Sequence, residues 1–166
     1  VVAGDIDYYF PLKGHPKFAG LIPYPINTDK KVFNQLEIHD KVIIFHGINN
    51  ASYYKKGNYI FEEALKIIEQ KFADKVEIIV TRSVPYAEYI KSYNKAHILL
   101  DQVYAYDQGY NALEAMAQGK VVFTGAEAEF TEYYKLTDRV AVNALPDAED
   151  IAREIEYLIH NPAEII

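Results

Sequence analysis

The sequence predicts one α/β domain built on a doubly wound, parallel sheet of about five to six strands. Two patterns carry this expectation. From residue 41 onward, short aliphatic runs bounded by polar or turn residues alternate with longer segments of helical periodicity. The runs are apolar almost throughout rather than at every second position, as strands covered by helices on both faces must be. Half of the 166 residues are apolar, enough for a single sizeable core.

Taken in order, the strands are expected at KVIIFHG (41–47), VEIIVT (76–81), HILLDQ (97–102), KVVFTG (120–125) and RVAVNA (139–144). The helices between them are expected at GNYIFEEALKIIEQKF (57–72), YAEYIKSYNKA (86–96), YNALEAMAQ (110–118), a short segment near 127–135, and DAEDIAREIEYLIHN (147–161). The first helix aligns Ile60, Ala64, Ile67, Ile68 and Phe72 on one stripe, and the last does so with Ile151, Ile155, Leu158 and Ile159. Asp147 is placed as an N-cap and Gly119 as the stop beyond the 110–118 helix. Alternating β and α units of this kind make an open sheet with helices on both faces.

Residues 1–35 differ. Four of the seven prolines, Pro11, Pro16, Pro23 and Pro25, fall before residue 26, and the segment reads as an irregular connecting arm leading into a domain over 36–166. The chain opens on VVAG and closes on AEII with no initiator Met, as a piece of a longer protein would.

Composition narrows the function classes. The net charge is −7, and no Lys/Arg block exceeds a pair, which argues against a nucleic-acid partner whose phosphates must be neutralised. No apolar run reaches transmembrane length and no signal peptide opens the chain, so a cytoplasmic location is expected, with any membrane association supplied by the rest of a longer protein. The absence of cysteine excludes disulfides and thiolate chemistry. His15, His39, His97 and His160 lack metal-ligand spacing, so no metal is expected, and no cofactor is assigned. Tyrosine is abundant, 15 residues, which fits either a core rim or a stacking surface for a sugar or base.

In an open α/β sheet, ligands bind beyond the carboxyl ends of the strands. The loops there begin HGINNASYYKKG, TRSVPY and DQVYAYDQGYN, and hold most of the polar and glycine residues. Neither a G-x-G-x-x-G turn nor a P-loop is present. Gly109 is placed at a helix N-terminus, where backbone N–H groups and the macrodipole favour an anion such as a diphosphate. Glu114 stands about one turn inside an otherwise apolar helix. It either accepts two hydrogen bonds from a vicinal diol such as ribose or is satisfied by a neighbouring loop. His46, at a strand end, is either a phosphate contact or a structural hydrogen-bonding residue.

LEAMAQGKVVFTG (113–125), with Gly109 five residues before Glu114, resembles the signature region of retaining, nucleotide-sugar-dependent glycosyltransferases of family 4. LIPYPINTDKKVF (21–33) resembles their interdomain segment I-P-N-G-V-D-x-x-x-F, FHGINNASYYKKG their first strand and the loop ending in Lys-Gly, and RSVPYAEYIKSYNKAHILLDQ the stretch leading to the signature. The resemblance covers most of the chain and implies a Rossmann-like domain, the C-terminal, donor-binding half of a GT-B enzyme. It implies that Glu114 holds the ribose, that Gly109, Tyr110 and Asn111 meet the distal phosphate or sugar, that Lys56 neutralises the diphosphate, and that Arg82, Ser83 and Val84 lie along the base. In the family's E-x7-E pattern the first acid falls on Tyr106, so Asp107 or Asp101 is left to supply a carboxylate. The arginine that usually partners the lysine is missing near 46–49. No catalytic residue is assigned.

The activity that the resemblance implies is transfer of a sugar from a nucleoside diphosphate to a saccharide or lipid-linked acceptor, held by an N-terminal domain outside this sequence, in bacterial surface polysaccharide synthesis. The fragment by itself is expected to bind nucleotide without turnover. Two alternatives stand beside it: one half of a GT-B nucleotide-sugar epimerase, and a non-catalytic α/β nucleotide-binding module.

Overall fold

The structure, a computed structural model, describes residues 1–31, 33 and 36–165. Val32, Asn34 and Gln35 of the expected arm, and Ile166 of the expected domain, lie outside the described residues. The chain runs β1 (Val2–Ala3), α1 (Ile6–Leu12), β2 (Gly20–Leu21), β3 (Val42–Ile48), α2 (Asn58–Phe72), β4 (Val76–Arg82), α3 (Tyr86–Lys95), β5 (Ile98–Leu100), α4 (Tyr110–Ala117), β6 (Val121–Thr124), α5 (Ala128–Tyr134), β7 (Val142–Asn143) and α6 (Ala148–His160). Short 3-10 turns follow β3 and α6, at Asn50–Ser52 and Pro162–Glu164. Among the described residues, no helix is long and apolar enough to cross a membrane.

The main sheet has five parallel strands in the order β4-β3-β5-β6-β7. The chain moves outward from β3 to β4 and then crosses to the other side of β3 to lay down β5. Strand direction of build-up therefore reverses beside β3, and a crevice opens there at the carboxyl ends.

Strand pleating divides the core. Ile44, Ile98, Leu100 and Phe123 face a cluster with Ile60, Phe61, Ala64, Ile68, Ile151, Ile155 and Leu158 from α2 and α6. The alternate residues Phe45, Leu99 and Val122 face Tyr93 of α3 and Ala112 and Ala115 of α4. Apolar side chains are thus needed at consecutive strand positions, which is why these runs lack polar alternation.

Helix ends follow the sequence signals. Asp147 caps α6 by accepting from the N–H groups of Glu149 at 2.9 Å and Asp150 at 3.1 Å. Gly119, at φ +83°, closes α4: its N–H donates to the Met116 carbonyl at 2.9 Å, and the Lys120 N–H to that of Ala115 at 3.1 Å. The strands at 97–102, 120–125 and 139–144 are shorter than their apolar runs. Lys120 is buried because its ammonium donates to the carbonyls of Asn94 and Ala96 at the end of α3, while Asp101 turns into the loop beyond β5.

The expectation of an irregular arm is corrected in its first part. Residues 2–21 form a small β-α-β unit in which β1 and β2 pair in parallel, Val2 beside Gly20 and Ala3 beside Leu21. Asp5 starts α1 by accepting from the Tyr8 N–H at 2.8 Å, a capping signal that the proline count obscured.

This unit docks on the loop before α4. The Ile6 N–H donates to Asp107 at 2.9 Å and the Tyr106 N–H to Asp7 at 3.1 Å. Phe10 meets Tyr106 edge-to-face at 5.1 Å between ring centroids. Beneath this contact, a Cβ on Gly125 would stand 2.2 Å from the Ala105 carbonyl oxygen and 2.9 Å from the Asp107 nitrogen. Both neighbours are backbone and cannot rotate away. Gly125→Ala is expected to destabilise the fold by about 2 kcal/mol, read as a lower midpoint in urea unfolding at unchanged slope.

Candidate functional site

The crevice beside β3 is bordered by three loops: 49–57 after β3, 83–85 after β4 and 101–109 after β5. The Lys56 ammonium forms an ion pair with Asp101 Oδ1 at 2.9 Å. The same oxygen accepts from Asn111 Nδ2 at 3.3 Å. Asn111 is fixed in turn by the Tyr89 hydroxyl, which donates to its Oδ1 at 2.8 Å, and by the Tyr93 hydroxyl, which donates to its carbonyl at 3.1 Å. Burial holds both phenols well above the usual tyrosine range, so they remain donors. Lys56, Asp101 and Asn111, from three separate segments, thereby form one polar group at the start of α4.

Local backbone chemistry sets these positions. Gly57 has φ +69°, and a Cβ there would stand 2.9 Å from Val103 Cβ, so glycine is needed for the loop to close on its neighbour. The Val103 N–H donates to the Lys56 carbonyl at 2.8 Å, tying the lysine's backbone to the segment that follows Asp101. Gly109 is the N-cap of α4, and no side chain among the described residues caps that helix, so its first N–H groups are left without a side-chain acceptor.

Glu114 lies one turn into α4 and pairs with Lys31 of the arm at 3.1 Å; each side chain is 20% exposed. The charge in the apolar turn is therefore satisfied by a neighbouring loop in this state. At the other border, the Arg82 guanidinium bonds Glu62 of α2, which also accepts from the Tyr53 hydroxyl. Arg82 lies 5.9 Å from the Tyr53 ring centroid. Ser83 adopts φ +47°; its N–H donates to the Ile48 carbonyl at 2.8 Å and its hydroxyl accepts from the Asn50 N–H at 3.1 Å. Val84 comes next, half-buried, at the rim.

Three of the expected contacts face elsewhere. His46 is fully buried under the crevice, its Nδ1 at 3.3 Å from the Leu100 carbonyl and its ring 5.2 Å from that of Phe61. Burial pushes its pKa down to about 4, so it is a neutral structural residue and the phosphate-contact reading is corrected. Tyr106 and Asp107 turn to α1 rather than to the Lys56 group. Asp107 is buried and pushed up to about 7 by desolvation, opposed by the Ile6 N–H and reinforced by Asp5 and Asp7. The run Asp5-Ile6-Asp7, an Asp-x-Asp spacing that sequence reasoning passed over, brings two carboxylates to Asp107, with oxygens of all three within 4.8 Å. Sequence reasoning also missed Lys31, Tyr89 and Tyr93, whose roles arise only where distant segments meet.

The glycosyl transferase-like family model matches residues 53–165, the span that holds Lys56, Arg82, Asp101, Asn111 and Glu114. The chain belongs to that family. No curated protein matches it. Among solved structures, sucrose-phosphate synthase from Thermosynechococcus elongatus is 16% identical with a TM-score of 0.65, covering 99% of this chain and 50% of its own. TarM from S. aureus, in complex with fondaparinux, alpha-GlcNAc-glycerol and UDP, is 11% identical at TM-score 0.65, covering 99% of this chain and 38% of its own. The C-terminal domain of the group 1 glycosyl transferase LpcC from Francisella tularensis is 19% identical at TM-score 0.53, covering 86% and 87%. This glycosyl transferase-like chain thus has the fold of one GT-B half, and spans about half the length of the synthase and less of TarM.

Proposed function

We propose that this domain binds the nucleoside diphosphate sugar donor of a retaining glycosyltransferase. The observation that carries the reading is the convergence, at the crevice where the sheet reverses, of a lysine, an uncapped helix start and a helix glutamate. Lys56 and the N–H groups after Gly109 suit a diphosphate, and Glu114 suits a ribose diol. Tyr110 and Asn111, on the first turn of α4, border the distal phosphate or sugar. Arg82, Ser83 and Val84 form the wall for the base. Residues 1–35 serve as the connecting arm and 36–166 as the donor domain.

Transfer to a saccharide or lipid-linked acceptor requires a second, acceptor-binding half, and bacterial surface polysaccharide is the product class that the family resemblance favours. TarM, with UDP bound, supports a uracil nucleotide as the first donor to try. Calorimetric titration of the chain with UDP, GDP, ADP and their sugars is expected to give saturable binding to one base. Absence of binding across the whole panel would overturn the proposal.

A further inference from the structure

Three cations at the crevice are already paired within the chain: Lys56 with Asp101, Arg82 with Glu62, and Lys31 with Glu114. The first pair differs from the others in burial. The Asp101 side chain is 2% exposed, whereas that of Lys56 is 32% exposed and reaches the crevice. Asp101 Oδ2 has no hydrogen-bond partner among the described residues, and it stands 3.9 Å from where a Cβ on Gly109 would lie, beside the open start of α4. A buried carboxylate oxygen without a donor is costly, so its retention at this point calls for a reason.

We infer that Asp101 is a resident counter-anion which limits the affinity of the site for phosphate groups. The inference rests on the donor site proposed above. A lysine with a carboxylate at 2.9 Å presents a dipole rather than a full positive charge, and the field of a dipole falls off faster than that of a single charge. The same carboxylate opposes the positive end of α4. Two features that attract an anion are thus both offset by one side chain. A role as acceptor for a donor-sugar hydroxyl fits less well, because Oδ1 is occupied and Oδ2 is sealed from solvent. For a transferase, a weakened grip on the leaving diphosphate favours release of the spent nucleotide after transfer, a step that limits turnover in many enzymes.

The substitution Asp101→Asn keeps the shape and an acceptor for Lys56 and removes the charge. With inorganic pyrophosphate as the calorimetric probe, it is expected to tighten binding about tenfold, with a smaller gain for inorganic phosphate. The gain should shrink as salt is raised, and uridine, which carries no phosphate, should bind Asp101→Asn and the parent chain alike. Lys56→Met should cost more affinity in the Asp101→Asn background than in the parent. Should Asp101→Asn not unfold cooperatively, Asp101→Ser carries the same expectation. Unchanged or weaker pyrophosphate binding in the neutral variant, or no pyrophosphate binding in either chain, would overturn the inference and make Asp101 a residue that orients Lys56. If pyrophosphate responds as expected while no nucleotide of the panel binds, the donor-site reading fails and the counter-anion survives.

Discussion

Glu114→Ala is expected to weaken nucleoside diphosphate binding about a hundredfold, a loss of ~3 kcal/mol. A carboxylate that accepts both hydroxyls of a ribose makes two charge-assisted hydrogen bonds, each contributing roughly 1.5–3 kcal/mol. Against that stands the cost of releasing Glu114 from Lys31, a pair at 3.1 Å whose partial exposure keeps it below about 1 kcal/mol. The hydrogen bonds win. Lys31→Met should act in the opposite sense and tighten binding by no more than about fivefold, since it removes only the competitor. Calorimetry on the two variants with the nucleotide that the parent prefers checks both signs. Equal affinity for Glu114→Ala and parent would remove this residue from the site and leave it as an anchor for the arm.

Asp107→Asn and His46→Gln are expected to bend the pH dependence of stability in opposite directions. His46 has a folded value of about 4 against 6.5 when unfolded, because burial disfavours the imidazolium. Between those values the unfolded chain binds more protons, so stability is complete above pH 6.5 and falls as pH drops toward 4. The gap corresponds to about 3 kcal/mol. Asp107 has a folded value of about 7 against 3.8, because burial and the nearby Asp5 and Asp7 disfavour its carboxylate. Its contribution is complete below pH 3.8 and falls as pH rises toward 7. From pH 4 to 6.5 the two slopes oppose each other and flatten the profile of the parent chain. Urea unfolding at half-unit pH steps should show Asp107→Asn gaining on the parent as pH rises, and His46→Gln gaining on it as pH falls. A difference that does not change with pH for either variant would mean that its group titrates alike in both states.

The strand runs and helix stripes were legible because both depend on local periodicity. Ile151, Ile155, Leu158 and Ile159 are all buried, as their spacing on α6 requires, and Gly119 ends α4 where its freedom at positive φ is used. Of the proposed site, the sequence names candidates but not the directions in which their side chains face. Gly109, Lys56 and Glu114 stand in motifs whose order along the chain survives folding, whereas the direction of His46 or Asp107 depends on what packs over it. His46 is one residue in a strand, and the packing of α2 on that face of the sheet, with Phe61 against its ring, put it under the helix instead of in the crevice. Asp107 is two residues from Gly109, yet α1, about a hundred residues away in sequence, claims it through the Ile6 N–H.

By itself the sequence determined the doubly wound sheet, its helices, and a polar crevice at the strand ends, because hydrophobic period and capping act within a few residues. Only the tertiary structure decided the charge state of that crevice. Lys31 with Glu114, Arg82 with Glu62 and Lys56 with Asp101 join segments twenty to eighty-three residues apart. Electrostatic pairing depends on distance in space, and no local pattern in the sequence records which charge will find which.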